Sequence, residues 1–171
     1  ANRSGGAVYW YGHDGEIKNS NFTGNKALGL TNATDSYGNN TYGGYGGAIM
    51  WKGEYGNITN SKFYNNSAPY AGGALRLSGN RLLVNDSVFE GNYDPVGSNS
   101  WGLAVYISGN NCNITYSNFT NNSARLGGAF YVGADSGNTL VNKSVFTLNV
   151  ADERGGAINL YASSTHMEDC E

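Results

Sequence analysis

Four ionisable side chains stand where a repeat could bring them together: His13, Asp14, Glu16 and Glu54. His13 and Glu54 each lie eight residues after the first Gly of a Gly-Gly-Ala motif, at Gly5 and Gly46, and Asp135 lies eight after the one at Gly127. Two carboxyl groups about 5–5.5 Å apart suit retaining glycoside hydrolysis, and about 6.5–9.5 Å suits inverting hydrolysis. Asp14 with Glu54 could meet either distance. These residues occupy short Gly- and Asn-rich turns on a convex edge, however, and acid–base chemistry needs a cleft that desolvates its groups. A calcium ion needs more oxygen ligands than such turns offer. No catalytic residue, no metal site and no cofactor is therefore expected. Cys112 and Cys170 have no metal-ligand spacing and make no disulfide framework.

The other chemistry-bearing residues are amides and phenols. Sequons of the form N-x-S/T begin at Asn2, Asn21, Asn32, Asn39, Asn57, Asn65, Asn85, Asn113, Asn118, Asn121 and Asn142. A repeat rich in Asn, Ser and Thr generates such triplets by composition; the functional reading is a glycosylated exterior on a secreted protein. Tyr37, Tyr42 and Tyr45 fall in a long excursion, residues 28–45, among Gly, Asn and Thr. A shorter excursion covers residues 93–101. Loops of that composition resemble binding paratopes, which take large contact area from rings at low entropic cost; the bland reading is a tolerated surface insertion.

These residues are positioned by a sentence written repeatedly along the chain. Gly-Gly-Ala begins at Gly5, Gly46, Gly72, Gly127 and Gly155, with Gly102-Leu103-Ala104 as a variant. Ser-x-Phe-x-x-Asn follows, from Ser20, Ser61, Ser87, Ser117 and Ser144. The first Gly and the Phe are 17 residues apart in four copies (5 to 22, 46 to 63, 72 to 89, 102 to 119) and 19 in the fifth (127 to 146). Large length variation falls after the Asn. Fixed-period self-similarity of this kind means a solenoid.

Counting the first Gly as zero, position three reads Val8, Ile49, Leu75, Val105, Phe130, Ile158, and position five reads Trp10, Trp51, Leu77, Ile107, Val132, Leu160. A period of two makes this a strand with those positions inward. By the same period Ala7, Ala48, Ala74, Ala104, Ala129 and Ala157 are expected to face out beside position four. Position four, with Tyr9, Met50, Arg76, Tyr106 and Tyr131, forms an outward stripe whose rings could stack on sugar faces or simply cover the sheet. A second segment turns Ile17, Ile58, Val84, Ile114 and Val141 inward, and a third stacks the Ser and Phe of the motif on one face. Asn25, Asn66, Asn92, Asn122 and Asn149 are expected to take the left-handed conformation at the third corner and to bond to one another as a ladder. Identical strands running in one direction without helical crossovers make parallel sheets. The expected fold is all-β: a right-handed parallel β-helix of about six coils, one domain spanning residues 1–171.

Composition closes off other classes. Only 13% of residues are charged and the net charge is −3, so nothing favours nucleic acid or an anionic membrane. No run approaches the roughly 18 apolar residues of a membrane-spanning helix, so this segment is not expected to insert directly.

Gly-Gly-Ala-Ile/Val/Leu alternating with Phe-x-x-Asn resembles the repeat pair of the chlamydial polymorphic outer membrane proteins. The fuller wording, Gly5-Gly6-Ala7-Val8-Tyr9-Trp10 with Asn19-Ser20-Asn21-Phe22-Thr23-Gly24-Asn25, is more similar to adhesin-like surface proteins of methanogenic archaea, as is Asn57-Ile58-Thr59-Asn60-Ser61. The resemblance covers essentially the whole chain. It implies a β-helical segment of a longer surface protein, extracellular, attaching without catalysis to surface glycans or proteins of host or neighbouring cells. The alternatives are a polysaccharide-processing β-helix enzyme and a purely structural stalk, because fold alone licenses no chemistry.

Overall fold

The computed structural model describes residues 1–29, 44–95, 100–133 and 136–171. Its frame is three parallel sheets wound by one chain. The first sheet stacks Val8–Trp10, Ile49–Trp51, Leu75–Leu77, Val105–Ile107, Phe130–Val132 and Ile158–Leu160 in chain order. The second stacks Glu16–Lys18, Asn57–Thr59, Leu83–Asn85, Asn113–Thr115, Thr139–Asn142 and Thr165–Glu168. The third has five strands, Asn21–Thr23, Lys62–Tyr64, Val88–Glu90, Asn118–Thr120 and Val145–Thr147. A short pair, Ser123–Leu126 with Val150–Arg154, extends the winding beyond the third corner. No helix lies among the described residues. The six rungs of the first sheet match the six copies of the repeat.

Register follows the motif residue for residue. Val8 pairs with Ile49, Ile49 with Leu75, and Phe63 with Phe89. One consequence is stacking of like on like inside the coil. Phe22, Phe63, Phe89, Phe119 and Phe146 form a column with centroids 5.0, 4.8, 4.8 and 4.8 Å apart. Trp10 and Trp51 stack at 4.7 Å. The inward set of the second segment is buried as expected, from Ile17 at 8% exposed to Val84, Ile114 and Val141 at 0%.

Polar ladders close the corners. From Asn66 to Asn149, each motif Asn accepts, through Oδ1, both the backbone N–H and the side-chain Nδ2–H of the Asn one coil earlier; for Asn66 on Asn92 these bonds are 3.0 and 3.1 Å. Its own Nδ2 also donates to a Phe carbonyl inside the coil, as Asn92 does to Phe63 at 3.1 Å. The serines form a second ladder, with Ser61 N–H donating to Ser87 Oγ at 3.2 Å and Ser87 N–H to Ser117 Oγ at 3.2 Å. Buried amides and hydroxyls are tolerated here because every coil supplies the partner the next one needs.

Two expectations are corrected. The motif Asn is not the left-handed residue: the positive φ falls one place earlier, at Gly24, Asn65, Gly91, Asn121 and Leu148. That leaves the motif Asn free to turn its amide inward, where Asn66, Asn92 and Asn122 are 0% exposed. The alanines also face in: Ala48, Ala74, Ala104 and Ala129 are buried in the main core beside Ile49, Leu75, Val105 and Phe130. The period-two pattern does not extend back to them because the chain turns at the glycine pair. Ile49 and Ala48 both donate to the carbonyl of Ala74, at 2.9 and 3.0 Å, which no regular strand does. Only Ala7, in the first coil, is exposed.

The glycine pair is required by contact as well as by φ. Gly46 has φ +61, and a Cβ there would meet the carbonyl oxygen of Ile49 at 2.2 Å. A Cβ on Gly47 would lie 1.9 Å from the carbonyl oxygen of Gly73, so successive coils touch backbone to backbone at this corner.

Candidate recognition face

The outward stripe of the first sheet is where the structure concentrates exposed chemistry, and it is not bare. Tyr9 is 52% exposed, but Met50, Tyr106 and Tyr131 are 4%, 7% and 8% exposed. What covers the stripe is a column the repeat placed just before the first Gly: Ser4, Tyr45, Ala71, Trp101 and Leu126. These residues join by single parallel bridges, Ser4 to Tyr45, Tyr45 to Ala71, Ala71 to Trp101 and Trp101 to Leu126. The chain arrives at the glycine corner from outside, so side chains of this column fold back over position four.

The result is a second apolar cluster outside the coil, with Ala71, Tyr106 and Tyr131 buried and Tyr45, Tyr70, Trp101 and Leu126 partly buried against them. Tyr106 and Tyr131 stack at 5.2 Å and 7°. Trp101 lies over both, at 6.2 and 5.9 Å. Tyr70 bridges Trp101 and Tyr45, 5.0 Å from each. Burial pushes the phenols of Tyr45 and Tyr131 up from their ordinary value, with neighbouring tyrosines adding to it. Arg76 enters this cluster with its guanidinium 4.4 Å from the Tyr45 ring and 4.4 Å from that of Tyr106.

Of the residues singled out from sequence, Tyr45, Arg76, Tyr106 and Tyr131 are brought together, and Tyr9 stands apart under Lys52 at 5.7 Å. Tyr37 and Tyr42 lie outside the described residues, as do Asn32, Asn39 and Asp135. Tyr70, Trp101 and Leu126 were missed. Their signal was positional for two of them, since Trp101 and Leu126 share the place before the first Gly with Tyr45. Both excursions, residues 28–45 and 93–101, end on an aromatic member of this cluster.

The acid–base candidates take a different shape. His13 Nδ1 accepts the backbone N–H of Glu54 at 3.3 Å, so the shared repeat position does make them neighbours. Glu54 Oε1 accepts Asn80 Nδ2 at 2.8 Å. Asp14 sits in the left-handed conformation at φ 54, where it shapes the turn. Glu16 pairs with Lys18 on the second sheet, away from His13. Tyr11, His13, Lys52, Glu54 and Ser78 line an open groove of about 290 Å³. Among the described residues no group of three or more His, Cys, Asp or Glu is placed to hold a metal. Cys112 is buried and Cys170 half-buried, and both are free thiols.

Among the described residues, the sequons from Asn21 on lie on the second and third sheets and the corner after the third, and Asn2 lies in the segment before the first strand. Asn2, Asn21, Asn57, Asn65, Asn118 and Asn121 are exposed, and Asn85, Asn113 and Asn142 are half-buried. Asn85 is engaged as acceptor to Thr115 Oγ1 at 2.7 Å. The strands of the first sheet carry no sequon.

No helix among the described residues is long and apolar enough to cross a membrane. Neither curated proteins nor solved structures give a match to this sequence. The family described as "Right handed beta helix region" does match, over residues 6–170. With three parallel sheets in the repeat's own register and a family match over nearly the whole length, the chain belongs to the right-handed β-helix family.

Proposed function

We propose that this is a non-enzymatic, adhesin-like β-helix segment of an extracellular surface protein, and that it attaches to glycans through the aromatic face of its first sheet. The observation that carries the reading is the cluster of Tyr45, Tyr70 and Trp101, half-buried over Tyr106 and Tyr131 on a rigid sheet. Rings held by packing offer flat apolar area with polar edges at little entropic cost, which suits sugar faces. The sequon-free surface of this sheet, beside two sheets that carry sequons, supports it as the face left clear for contact. The His13–Glu54 groove is open to solvent and gives no desolvated site for acid–base work, which favours binding over turnover.

An array of immobilised glycans, probed with the wild-type chain and with Trp101→Ala, tests the reading. Binding to at least one glycan, lost in the variant and accompanied by no change in the glycan's mass, is expected. Cleavage of a bound glycan would make it an enzyme. No binding to any glycan would leave the stalk.

A further inference from the structure

Arg76 is the charged member of the aromatic cluster, and its hydrogen-bond partners among the described residues are two neutral hydroxyls. Of a guanidinium's five N–H donors, one on Nε goes to Ser78 Oγ at 3.2 Å and one on Nη2 to Ser108 Oγ at 3.5 Å. Among the described residues no carboxylate forms an ion pair with it. Glu54, the acid that shares a groove with Ser78, is held by Asn80 instead. The rings of Tyr45 and Tyr106 both lie against the guanidinium, each 4.4 Å away. The edge bearing Nη1 and the second Nη2 hydrogen is thus the side left for a ligand, and Nη1 is not among the buried polar atoms that lack a partner, so it reaches solvent.

From this we infer that the aromatic face selects acidic glycans, with the open edge of Arg76 receiving the carboxylate of a sugar whose ring lies against Trp101 and Tyr70. The inference rests on the glycan reading above. Three features point to a carboxylate. Nε and one Nη2 hydrogen are taken by Ser78 and Ser108, so the Nη1–Nη2 edge is the side that offers two parallel donors. A planar two-oxygen group matches the planar fork in two parallel hydrogen bonds. The stacking surface is adjacent, because Tyr106 touches both Arg76 and Trp101. The serine pair Ser78 and Ser108, bonded to each other at 3.2 Å, fixes the opposite edge and so orients the fork.

The test is titration of the whole chain with three probes of equal length: a glucuronate-containing oligosaccharide, its carboxyl-reduced counterpart, and a sulfated oligosaccharide without carboxylates. The wild type should bind the uronate at least about tenfold more tightly than the reduced form. Arg76→Gln should erase that ratio, bringing affinity for the uronate down to that for the reduced probe. Arg76→Lys, which keeps charge without the fork, should retain only a small part of the preference, and thermal melts of both variants check the fold. Equal affinity for uronate and reduced probes, or a preference that survives in Arg76→Gln, overturns the inference while glycan binding stands. Tighter binding of the sulfated probe overturns the carboxylate assignment. No binding of any probe by the wild type removes both this inference and the glycan reading beneath it.

Discussion

Replacing Asn92 by Ala tests whether the amide ladder holds the coils together. In the structure Asn92 is fully buried. Its Oδ1 accepts two bonds from Asn66, one from backbone N at 3.0 Å and one from Nδ2 at 3.1 Å. Its Nδ2 donates to Phe63 O at 3.1 Å and Asn122 Oδ1 at 2.9 Å. The Ala variant keeps the Asn92 N–H bond to Asn122 but strands the Asn66 N–H in a dry interior, and takes one bond from the Phe63 carbonyl, which stays in the ladder to the next coil. At about 1–3 kcal/mol for the buried group left unsatisfied and about 0.5–1.5 kcal/mol for the lost bond, the loss should be about 1.5–4.5 kcal/mol. Asn25→Ala is the internal control. It removes the same side chain from the end of the ladder, where one bond is lost, Nδ2 to Asn66 Oδ1 at 2.9 Å, and Asn66 Oδ1 keeps the Asn25 N–H. One partly exposed bond is worth about 0.5–1.5 kcal/mol. Urea denaturation of both variants, compared at equal m-value, reads the difference. Equal shifts in midpoint would refute the idea that ladder position, and not local conformation, sets the cost.

Two further outcomes are expected. Gly47→Ala should cost at least about 3 kcal/mol, the upper end of overpacking, because its Cβ would meet the backbone oxygens of Gly73 and Ser67 at 1.9 and 2.5 Å; Gly24→Ala, with φ +65 and nothing within 4 Å, should cost about 1–2 kcal/mol, and matching losses in thermal melts would remove the backbone-contact argument. Burial pushes the Cys112 thiol from 9.0 up to about 11, so the neutral thiol's contribution is whole below pH 9 and is lost as pH rises from 9 towards 11; relative to Cys112→Ala the wild type should lose about 1 kcal/mol between pH 8 and pH 10, and parallel pH profiles would show the thiol to be hydrated.

The core was legible because the repeat writes it in identical letters. Phe22, Phe63, Phe89, Phe119 and Phe146 announce a column once parallel register is accepted, and the amide ladder follows from the recurring Asn. The alanines were misplaced because a period of two holds only while the backbone stays extended, and the glycine pair ends that condition. The corner positions were hidden for a different reason. Left-handed residues include Tyr55, Arg81, Tyr116, Lys143 and Leu148, side chains with no intrinsic preference for φ > 0. They hold it, at a strain of about 1–3 kcal/mol each, because the coils above and below impose the turn.

The recognition face was half legible, and the missing half bears on why it exists. Its members vary from coil to coil: Ser4, Tyr45, Ala71, Trp101 and Leu126 in one column, Tyr9, Met50, Arg76, Tyr106 and Tyr131 in the other. No repeated letter marks them, so self-similarity passes over them. That same variation shows what the fold requires of these columns. A coil closes with Ser4 beside Tyr9 and with Ala71 beside Arg76, so neither column needs a ring for winding to continue. The main core is complete without them, since Ile49, Leu75, Val105, Phe130 and the Phe column are buried by the coil itself. Some of the outer rings add burial, with Tyr106 and Tyr131 nearly covered. Stability alone would cover all of them, or leave small residues there. Instead Tyr45, Tyr70 and Trp101 are only partly buried against the cluster, Tyr45 and Trp101 as the last residues of two insertions. A side chain left in that state on a scaffold that does not need it is what the proposed glycan contact would use.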